Sequence, residues 1–314
     1  MVRFEYHLTM ESVEALYKLV STVMPNDMHD YLFITVDDSK KHGVMVEALS
    51  SDDAFRIRMR LASMRIVMGA DSSVEVGPMD VVPVVVRAST LYDVLQAGDI
   101  DVDGNLPDIR IYFVLVDGND KDDTSSLEVL SSSRVVGVFI DSMVKRSEAS
   151  SANFPFSGVF SDVVYETAPD GSVKRVFAAV AKLDADVFAD VSRMIHVSLV
   201  YRKYVSNLVN VCVEPYDHDY EYDDDDMFGT IWVNGSVSFN LDDDASGIKV
   251  SQLAPCRNGI KRCAAVRSEW LYKVSCIAGR EGDIMLVIHD GGVIQFYANR
   301  DDVSMITSAI VNLD

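Results

Sequence analysis

A helical segment that recurs along the chain is the feature that most constrains its fold. The sequences VRASTLYDVLQAG at 86–98 and VRSEWLYKVSCIAG at 266–279 share Val-Arg, then Leu-Tyr and Val at the same spacing, and both end in Ala-Gly. The related VEALYKLV at 13–20 and the more degenerate VFADV at 187–191 place one such segment in each quarter of the chain. A single Leu-Tyr pair is ordinary helix core, but recurrence at a fixed offset is typical of duplicated units. The sequence therefore predicts a fold built by repeating one unit.

Strand patterns surround each of these segments. Apolar and polar residues alternate over short runs, as in RFEYHL at 3–8, and a period of two predicts strands. Asp184 is a predicted N-cap, and Gly98 and Gly279 are expected at helix ends. The predicted helices cover residues 10–24, 89–98, 184–196 and 268–279. The predicted class is α+β, in which four β-α-β-β-β units follow one another.

Length and local composition predict two domains. A chain of 314 residues is long for one domain and suits two of about 150 residues each. Residues 143–172 interrupt the strand and helix pattern with serine, proline and glycine, which is typical of a connecting segment. We therefore expect an N-terminal domain over 1–142, a connecting loop over 143–172 and a C-terminal domain over 173–314.

The first predicted helix has one apolar stripe and one polar face. The residues that recur at helical spacing, and so should lie on a sheet, are Val13, Leu16, Tyr17 and Val20. The side chains expected on the opposite face are Glu11, Glu14, Lys18 and Ser21. Each unit is thus predicted to be a sheet segment covered by one helix, whose outer face is free for another contact.

Several stretches resemble sequences of the sliding clamp family, the PCNA-type processivity factors of DNA polymerases. VEALYKLV is similar to the first helix of those clamps, and GVMVEALSSDDAFRIRMRL resembles the family's strand, turn and strand, with matches at Ala48, Leu49 and Ser51. PVVVRASTLYDVLQAG resembles the start of the second unit, and the third helix is matched by Phe188, Ala189 and Arg193. The connection at 143–172 falls where the family has its interdomain connecting loop. The last residues, from GGVIQFY onward, are similar to divergent clamp-like proteins of large DNA viruses.

The resemblance implies a two-domain clamp fold that closes into a ring, normally of three copies, around duplex DNA, with the helices on the inner face. Such a clamp tethers a replicative DNA polymerase and other replication or repair proteins, is not an enzyme and needs no cofactor. The cations implied as phosphate contacts are Lys18, Arg193, Arg267, Lys273 and Arg280. The formal net charge of -21 fits an acidic outer surface with a few inner cations, which bind the DNA backbone without reading its sequence.

The predicted helices depart from the family pattern in their charge. In the second helix Tyr92 and Leu95 stand where the family has lysines. The third helix has Arg193 alone against three acids, Asp184, Asp186 and Asp190. We therefore expect weak DNA contact from the helices. Candidates to supplement it are the pairs Arg202-Lys203 and Lys261-Arg262, although exposed loop charges are the simpler interpretation.

The resemblance also implies a pocket for partner peptides beside the connecting loop. Its predicted residues are Leu49, Ala54, Phe154, Phe156, Val159, Ile310 and Val311. The segment FPFSGVF at 154–160 has apolar side chains in a loop where solvated residues are expected, which favours a contact surface. The alternative is that Phe154 and Phe156 only attach the loop to its own domain.

The segment AFRIRMRL at 54–61 has a different pattern on each face. Alternation places apolar side chains on one face of a strand and Arg56, Arg58 and Arg60 on the other. A solvated face on which the arginines pair with neighbouring acids is the simpler interpretation. Contact with nucleic acid or with a partner protein is the alternative.

Motifs of the common enzyme classes are absent from the sequence. It contains no GxxxxGK[ST], GxGxxG or HExxH pattern, and its six histidines are scattered. DHDYEYDDDD at 217–226 could collect a divalent cation and IHDGG at 288–292 could suggest a His-Asp metal pair, but an acidic loop and a hairpin turn are simpler interpretations. The alternative function is a clamp-like scaffold or regulatory binding protein, monomeric and without DNA encirclement.

The sequence predicts an intracellular protein with no membrane partner. It has no run of 18 or more apolar residues, and its N-terminus lacks the apolar core of a signal peptide. The four cysteines lack zinc-site spacing and are predicted to be reduced thiols: Cys212, Cys256, Cys263 and Cys276. The resemblance implies action in the nucleus or at a site of viral DNA replication.

Overall fold

The structure, a computed structural model, describes the chain in a series of stretches. The described residues are 3–24, 28–37, 43–52, 54–68, 76–77, 80–97, 106–115, 124–132, 134–140, 163–167, 173–177, 179–201, 208–215, 228–234, 249–257, 262–289, 292–300 and 302–309. The chain divides into two compact units. Unit 1 comprises Met1–Ala152 and Arg300–Met305, and unit 2 comprises Asn153–Asn299 and Ile306–Asp314.

Unit 1 contains two successive β-α-β-β-β units. The first consists of β1 (Arg3–Leu8), α1 (Met10–Val23), β2 (Tyr31–Val36), β3 (Gly43–Leu49) and β4 (Phe55–Met68). The second consists of β5 (Val84–Arg87), α2 (Ala88–Ala97), β6 (Asp108–Val114), β7 (Ser126–Ser131) and β8 (Arg134–Phe139). The strands pair in the order β5-β2-β3-β4-β1-β6-β7-β8, and every pairing is antiparallel. The long strand β4 pairs with β3 through Arg56–Ala62 and with β1 through Ser63–Met68.

Unit 2 repeats this order of elements. Its third β-α-β-β-β unit consists of β11 (Ala179–Asp184), α3 (Ala185–Tyr201), β12 (Leu208–Pro215), β13 (Phe228–Asn234) and β14 (Lys249–Arg257). The fourth consists of β15 (Arg262–Arg267), α4 (Ser268–Ala278), β16 (Asp283–Ile288), β17 (Ile294–Asn299) and β18 (Val303–Ala309), which begins in unit 1. The strand order is β15-β12-β13-β14-β11-β16-β17-β18, the order of unit 1 position by position. The predicted duplication and the four predicted helices are confirmed.

One hairpin lies outside the repeated units. β9 (Val163–Thr167) and β10 (Val173–Phe177) pair only with each other among the described strands. β9 falls inside the segment predicted to be a loop, and residues 174–183, predicted as a single strand, divide between β10 and β11. β9 forms because Val163–Thr167 pairs antiparallel with Val173–Phe177, so that the backbone polar groups of both strands have hydrogen-bond partners.

The helices pack on the sheets through the predicted apolar stripe. Val13, Leu16 and Val20 of α1 are buried, and Leu19 joins them. Burying one such side chain contributes about 1.5–3 kcal/mol, so this stripe attaches α1 firmly to β4 and β6. Tyr17 differs from the prediction because it is only partly buried and stacks on Tyr92 of α2.

The prediction of four reduced thiols is wrong. Cys212 on β12 and Cys263 on β15 are 51 positions apart in sequence and form a disulfide between the two strands. The two cysteines are directly opposite each other in the register, and this proximity depends on strand pairing that no sequence spacing reveals. Cys276 is free.

Candidate nucleic-acid interface

The helices lie in pairs, α1 beside α2 in unit 1 and α3 beside α4 in unit 2. In each helix pair, two aromatic side chains stack between the helices. Tyr17 and Tyr92 stack with ring centroids 6.1 Å apart, and His196 and Tyr272 stack at 4.8 Å. The outward faces of the two helix pairs are the candidate surface, because the cations predicted to contact phosphates lie on these helices or at their ends.

Local sequence fixes where these helices begin and end. Thr9 caps α1 by accepting a hydrogen bond from Ser12 N at 3.3 Å. The predicted cap of α3 is confirmed, since Asp184 Oδ1 accepts hydrogen bonds from the backbone N–H of Asp186 and of Val187, both at 3.0 Å. α4 ends as predicted at Gly279, which has a φ of 75° that favours glycine and donates its N–H to Ser275 O at 3.0 Å.

Lys18 lies on the outer side of α1 and is paired with an acid of the same helix. Its Nζ is 2.6 Å from Glu14 Oε1, one turn earlier. The hydrogen bond from Lys18, together with its charge, lowers the pKa of the Glu14 carboxyl. The Lys18 side chain is 37% exposed and that of Glu14 is 55% exposed, so a phosphate near Lys18 would compete with a carboxylate already beside it.

Arg280 connects the end of α4 to the first turns of α3. Its Nη1 donates to Asp186 Oδ1 at 2.5 Å and its Nη2 to Asp190 Oδ1 at 2.7 Å. All three side chains are more than half exposed, so water screens the interaction. The arrangement places two carboxylates beside the guanidinium that was predicted to contact phosphate.

The other three predicted cations have different environments. Arg193 is exposed on α3, whereas Lys273 of α4 is buried, with 4% of its surface accessible. The Arg267 guanidinium lies 4.6 Å from the ring centre of Trp270, which is buried. Burial and the charge of Lys273 lower the pKa of His196 on the facing helix. Arg193 is therefore the predicted cation most open to a phosphate.

Acidic side chains outnumber basic ones on the helices. The basic residues within α1 to α4 are Lys18, Arg193 and Lys273. The acidic residues within them are Glu11, Glu14, Asp93, Asp186, Asp190 and Glu269. Because affinity for duplex DNA rises with the number of phosphates neutralised, these helix faces can contact DNA only weakly.

The arginines of β4 belong to a network of ion pairs with acids. Arg56 Nε lies 2.6 Å and Arg58 Nη2 lies 3.5 Å from Glu47 Oε1 on β3, and Arg60 pairs with Asp37. The alternate side chains of the strand are fully buried: Phe55, Ile57, Met59 and Leu61. The ion pairs agree with the simpler interpretation of AFRIRMRL, but the expectation of a solvated face is wrong for Arg56, which is buried beside Glu47.

The predicted peptide pocket is described only in part. Leu49 is buried and packs with Phe33 and Val85, and Ala54 is partly exposed. The remaining predicted pocket residues lie outside the described residues: Phe154, Phe156, Val159, Ile310 and Val311. The pocket stays a prediction.

The strand β8 has an apolar edge that the sequence-based predictions do not include. β8 pairs only with β7 among the described strands, and its exposed side chains include Val135 at 49% and Val138 at 52%. Val136 and the following Ile140 are exposed as well. Edge strands with exposed apolar residues readily pair with another chain. The signal in the sequence is RVVGVFI, which is apolar at consecutive positions where one solvated face would require alternation.

The part of the chain that the structure describes has no group of three or more His, Cys, Asp or Glu arranged to hold a metal ion. The acidic loop at 217–226 lies outside it. His289 is buried, and its Nε2 lies 2.8 Å from Gln295 Oε1. The backbone N–H of His289 donates to Val293 O at 2.9 Å between the ends of β16 and β17, as the hairpin interpretation predicts. No helix among the described residues has the length and apolar character needed to span a membrane.

Comparison with known proteins identifies the fold. No protein-family model and no curated protein matches the chain. Among solved structures, the chain is similar to one in a PCNA2–PCNA3 complex from Sulfolobus tokodaii, with a TM-score of 0.57, 10% identity and coverage of 98% of both chains. At this identity the likeness concerns the fold, and the predicted sliding-clamp fold is confirmed over nearly the whole chain.

Proposed function

We propose that this protein is a sliding clamp, a non-enzymatic processivity factor that encircles duplex DNA and tethers a DNA polymerase. The observation that carries the proposal is the likeness to a PCNA chain over 98% of the length, combined with four copies of the β-α-β-β-β unit. The proposed domains are residues 1–142 and 173–314, joined by the connection at 143–172. The proposed place of action is where DNA is replicated, in a nucleus or at a viral replication site.

The proposed DNA contacts are sparse. Lys18, Arg193, Arg267 and Arg280 are the proposed cations, whereas Lys273, which the resemblance also implied, is too buried to reach a phosphate. The acids around Lys18 and Arg280 weaken their attraction to phosphate. Few phosphate contacts give low affinity and a shallow salt dependence. In this proposal the ring is held on DNA by its closed shape, and weak contacts let it slide.

The proposed assembly is a homotrimer. The similar structure is itself a complex of clamp subunits, and the exposed edge of β8 gives this chain a surface that can extend its sheet with a second copy. The buried area would come mainly from Val135, Val136 and Val138, which otherwise face water. The proposed partner site for polymerase and other clamp-binding peptides comprises Leu49, Ala54, Phe154, Phe156, Val159, Ile310 and Val311.

The proposed ring is tested first by molar mass. Light scattering over a range of protein and salt concentrations should give a value near three times 34.8 kDa. The substitution Val138→Lys should reduce the mass toward one copy, because a charge would be placed in the sheet extension. Val187→Lys, the same change at a valine exposed on α3, is the matched control and should leave the mass unchanged. A single copy at every concentration would reject the homotrimer.

The DNA contact is tested by primer extension with the polymerase of the same source. The double substitution Arg193→Glu, Arg267→Glu should reduce stimulation by the clamp, because two proposed phosphate contacts become repulsive. If extension is unaffected, the helix faces are not the DNA surface.

A second candidate function is a clamp-like scaffold that does not encircle DNA. The excess of acidic side chains on the helices favours it, since a surface of that charge repels phosphates. A stable single-copy mass together with normal folding would support this candidate.

A further inference from the structure

A covalent cross-link joins two strands of unit 2. Cys212 on β12 lies opposite Cys263 on β15, with their Cα atoms 4.1 Å apart, and the two form a disulfide. β15 pairs only with β12 among the described strands. The cross-link therefore fastens a strand that, within the described part of the chain, is hydrogen-bonded to a neighbour along one side alone.

The disulfide lies on the solvent side of the sheet. Three of the four neighbours of the cysteines along the two strands are buried, namely Val211, Val213 and Ala264, and the fourth, Arg262, is partly buried. Because side chains alternate between the faces of a strand, the cysteines project from the opposite face, and Cys263 is exposed. Thiol–disulfide exchange requires a thiolate to reach one of the two sulfur atoms. The exposure of Cys263 gives a small thiol this access.

The cross-linked strand β15 leads directly into the helix α4. β15 ends at Arg267 and α4 begins at Ser268, without an intervening residue. Arg267 is the N-cap but makes no capping hydrogen bond with its side chain, and its guanidinium lies over the buried Trp270. The start of α4 is therefore positioned by β15 and by this packing, so movement of the strand would pass to the helix.

We infer that the Cys212–Cys263 disulfide is a redox-sensitive brace that holds the edge strand β15, and with it the start of α4, in place. A small dithiol supplies the two electrons: one thiolate attacks a protein sulfur, the protein S–S bond breaks, and a mixed disulfide forms. The second thiolate of the reductant then displaces the protein, which leaves two cysteine thiols and the oxidised, cyclic reductant. A small-molecule disulfide reverses the exchange. The inference rests on strand pairing and exposure, and is independent of any DNA contact.

Hydrogen exchange measured by mass spectrometry tests the brace. The intact chain is compared as purified without reductant and after treatment with dithiothreitol, and thiols are counted by alkylation in denaturant. Reduction should expose two additional thiols and raise exchange in β12, β15 and the first turn of α4 on the order of 10-fold, with no change in β1 or α1. The thermal midpoint should fall by roughly 5 °C, because the reduced chain loses the cross-link that restricts its unfolded state.

Two variants separate the brace from other effects of the reductant. Cys276→Ser removes a free thiol and should respond to dithiothreitol as the wild type does. The double variant Cys212→Val, Cys263→Val should exchange like the reduced wild type and should not respond. If that variant does not fold, the reduced wild type decides the question by itself. An unchanged thiol count, or equal exchange in β15 before and after reduction, overturns the inference.

Discussion

Arg280 at the end of α4 donates a hydrogen bond of 2.7 Å from Nη2 to Asp190 Oδ1 on α3, a residue 90 positions earlier in the chain. The same guanidinium binds Asp186, so two carboxylates surround one of the cations proposed to contact DNA. The attraction of Arg280 for a phosphate must therefore compete with partners already in place. Removing these acids is therefore expected to free Arg280 for the proposed phosphate contact.

Removing both acids should strengthen DNA binding. We predict that the double variant Asp186→Asn, Asp190→Asn binds a fluorescent DNA duplex more tightly than the wild type, because Arg280 becomes available and two repulsive charges disappear. The plot of log affinity against log salt should steepen by about 1, the value for one further phosphate contact. Fluorescence anisotropy over a series of salt concentrations measures both quantities.

The control for this experiment is Glu281→Gln, which removes an exposed carboxylate next to Arg280 in sequence but leaves its two partners intact. It should change the salt slope little. A double variant whose slope equals that of the wild type would show that Arg280 does not reach the DNA.

His196 should make stability dependent on pH. Burial and Lys273 lower the pKa of His196 below its usual 6.5, so the folded state keeps the imidazole neutral in its stack with Tyr272. As the pH falls below about 6.5, the unfolded chain takes up the proton first, and stability is lost until the folded pKa is passed. His196→Phe keeps an aromatic ring, and the midpoint of its unfolding by urea should change less with pH over this range.

His29→Asn, which removes an exposed histidine, is the comparison variant. An identical acid dependence in the wild type and in His196→Phe would assign the effect to other groups.

Tyr297 should make the stability of the fold dependent on pH in the alkaline range. Burial raises its pKa from 10.0 to about 12, and its hydroxyl donates to Gln295 Oε1 at 2.6 Å. The stability that this neutral phenol contributes is complete below pH 10 and is lost as the pH rises toward 12. Tyr297→Phe should cost about 1 kcal/mol at neutral pH, because the hydrogen bond to Gln295 is lost, and should weaken the alkaline dependence.

Denaturation by urea at several alkaline pH values measures this contribution. Tyr92→Phe, at the partly exposed stack with Tyr17, is the comparison variant. If Tyr297→Phe loses stability with pH as steeply as the wild type, the phenol of Tyr297 is not the responsible group.

Gly43 should not tolerate a side chain. A Cβ at this position would lie 2.7 Å from the Leu61 carbonyl oxygen of the neighbouring strand, which is too close for atoms that are not bonded. Gly43→Ala should therefore destabilise unit 1 by about 1–3 kcal/mol through overpacking. At Gly77 the nearest atom is the carboxylate end of Asp80, at 3.1 Å, so Gly77→Ala should cost much less. Equal thermal midpoints for the two variants would contradict the argument.

Local patterns in the sequence were sufficient for the elements of the fold. The stripe Val13, Leu16 and Val20 and the cap at Asp184 located helices, because helix periodicity and capping depend on residues a few positions apart. The recurrence of the Leu-Tyr segments revealed the duplication for the same reason: each copy carries its own local signal. β9 was missed, since a strand in a serine- and proline-rich segment is stabilised by its partner β10 rather than by its own pattern.

The candidate site was less predictable, because it depends on contacts between distant residues. The sequence by itself determined which cations lie on the helices, but only the tertiary structure decided that Lys273 is buried and that Arg280 binds Asp186 and Asp190. It also decided that Cys212 forms a disulfide with Cys263 and that β8 is at the edge of the sheet among the described strands. Periodicity fixes the face on which a side chain lies, whereas burial, ion pairing and edge position are fixed only when strands and helices far apart in sequence pack together.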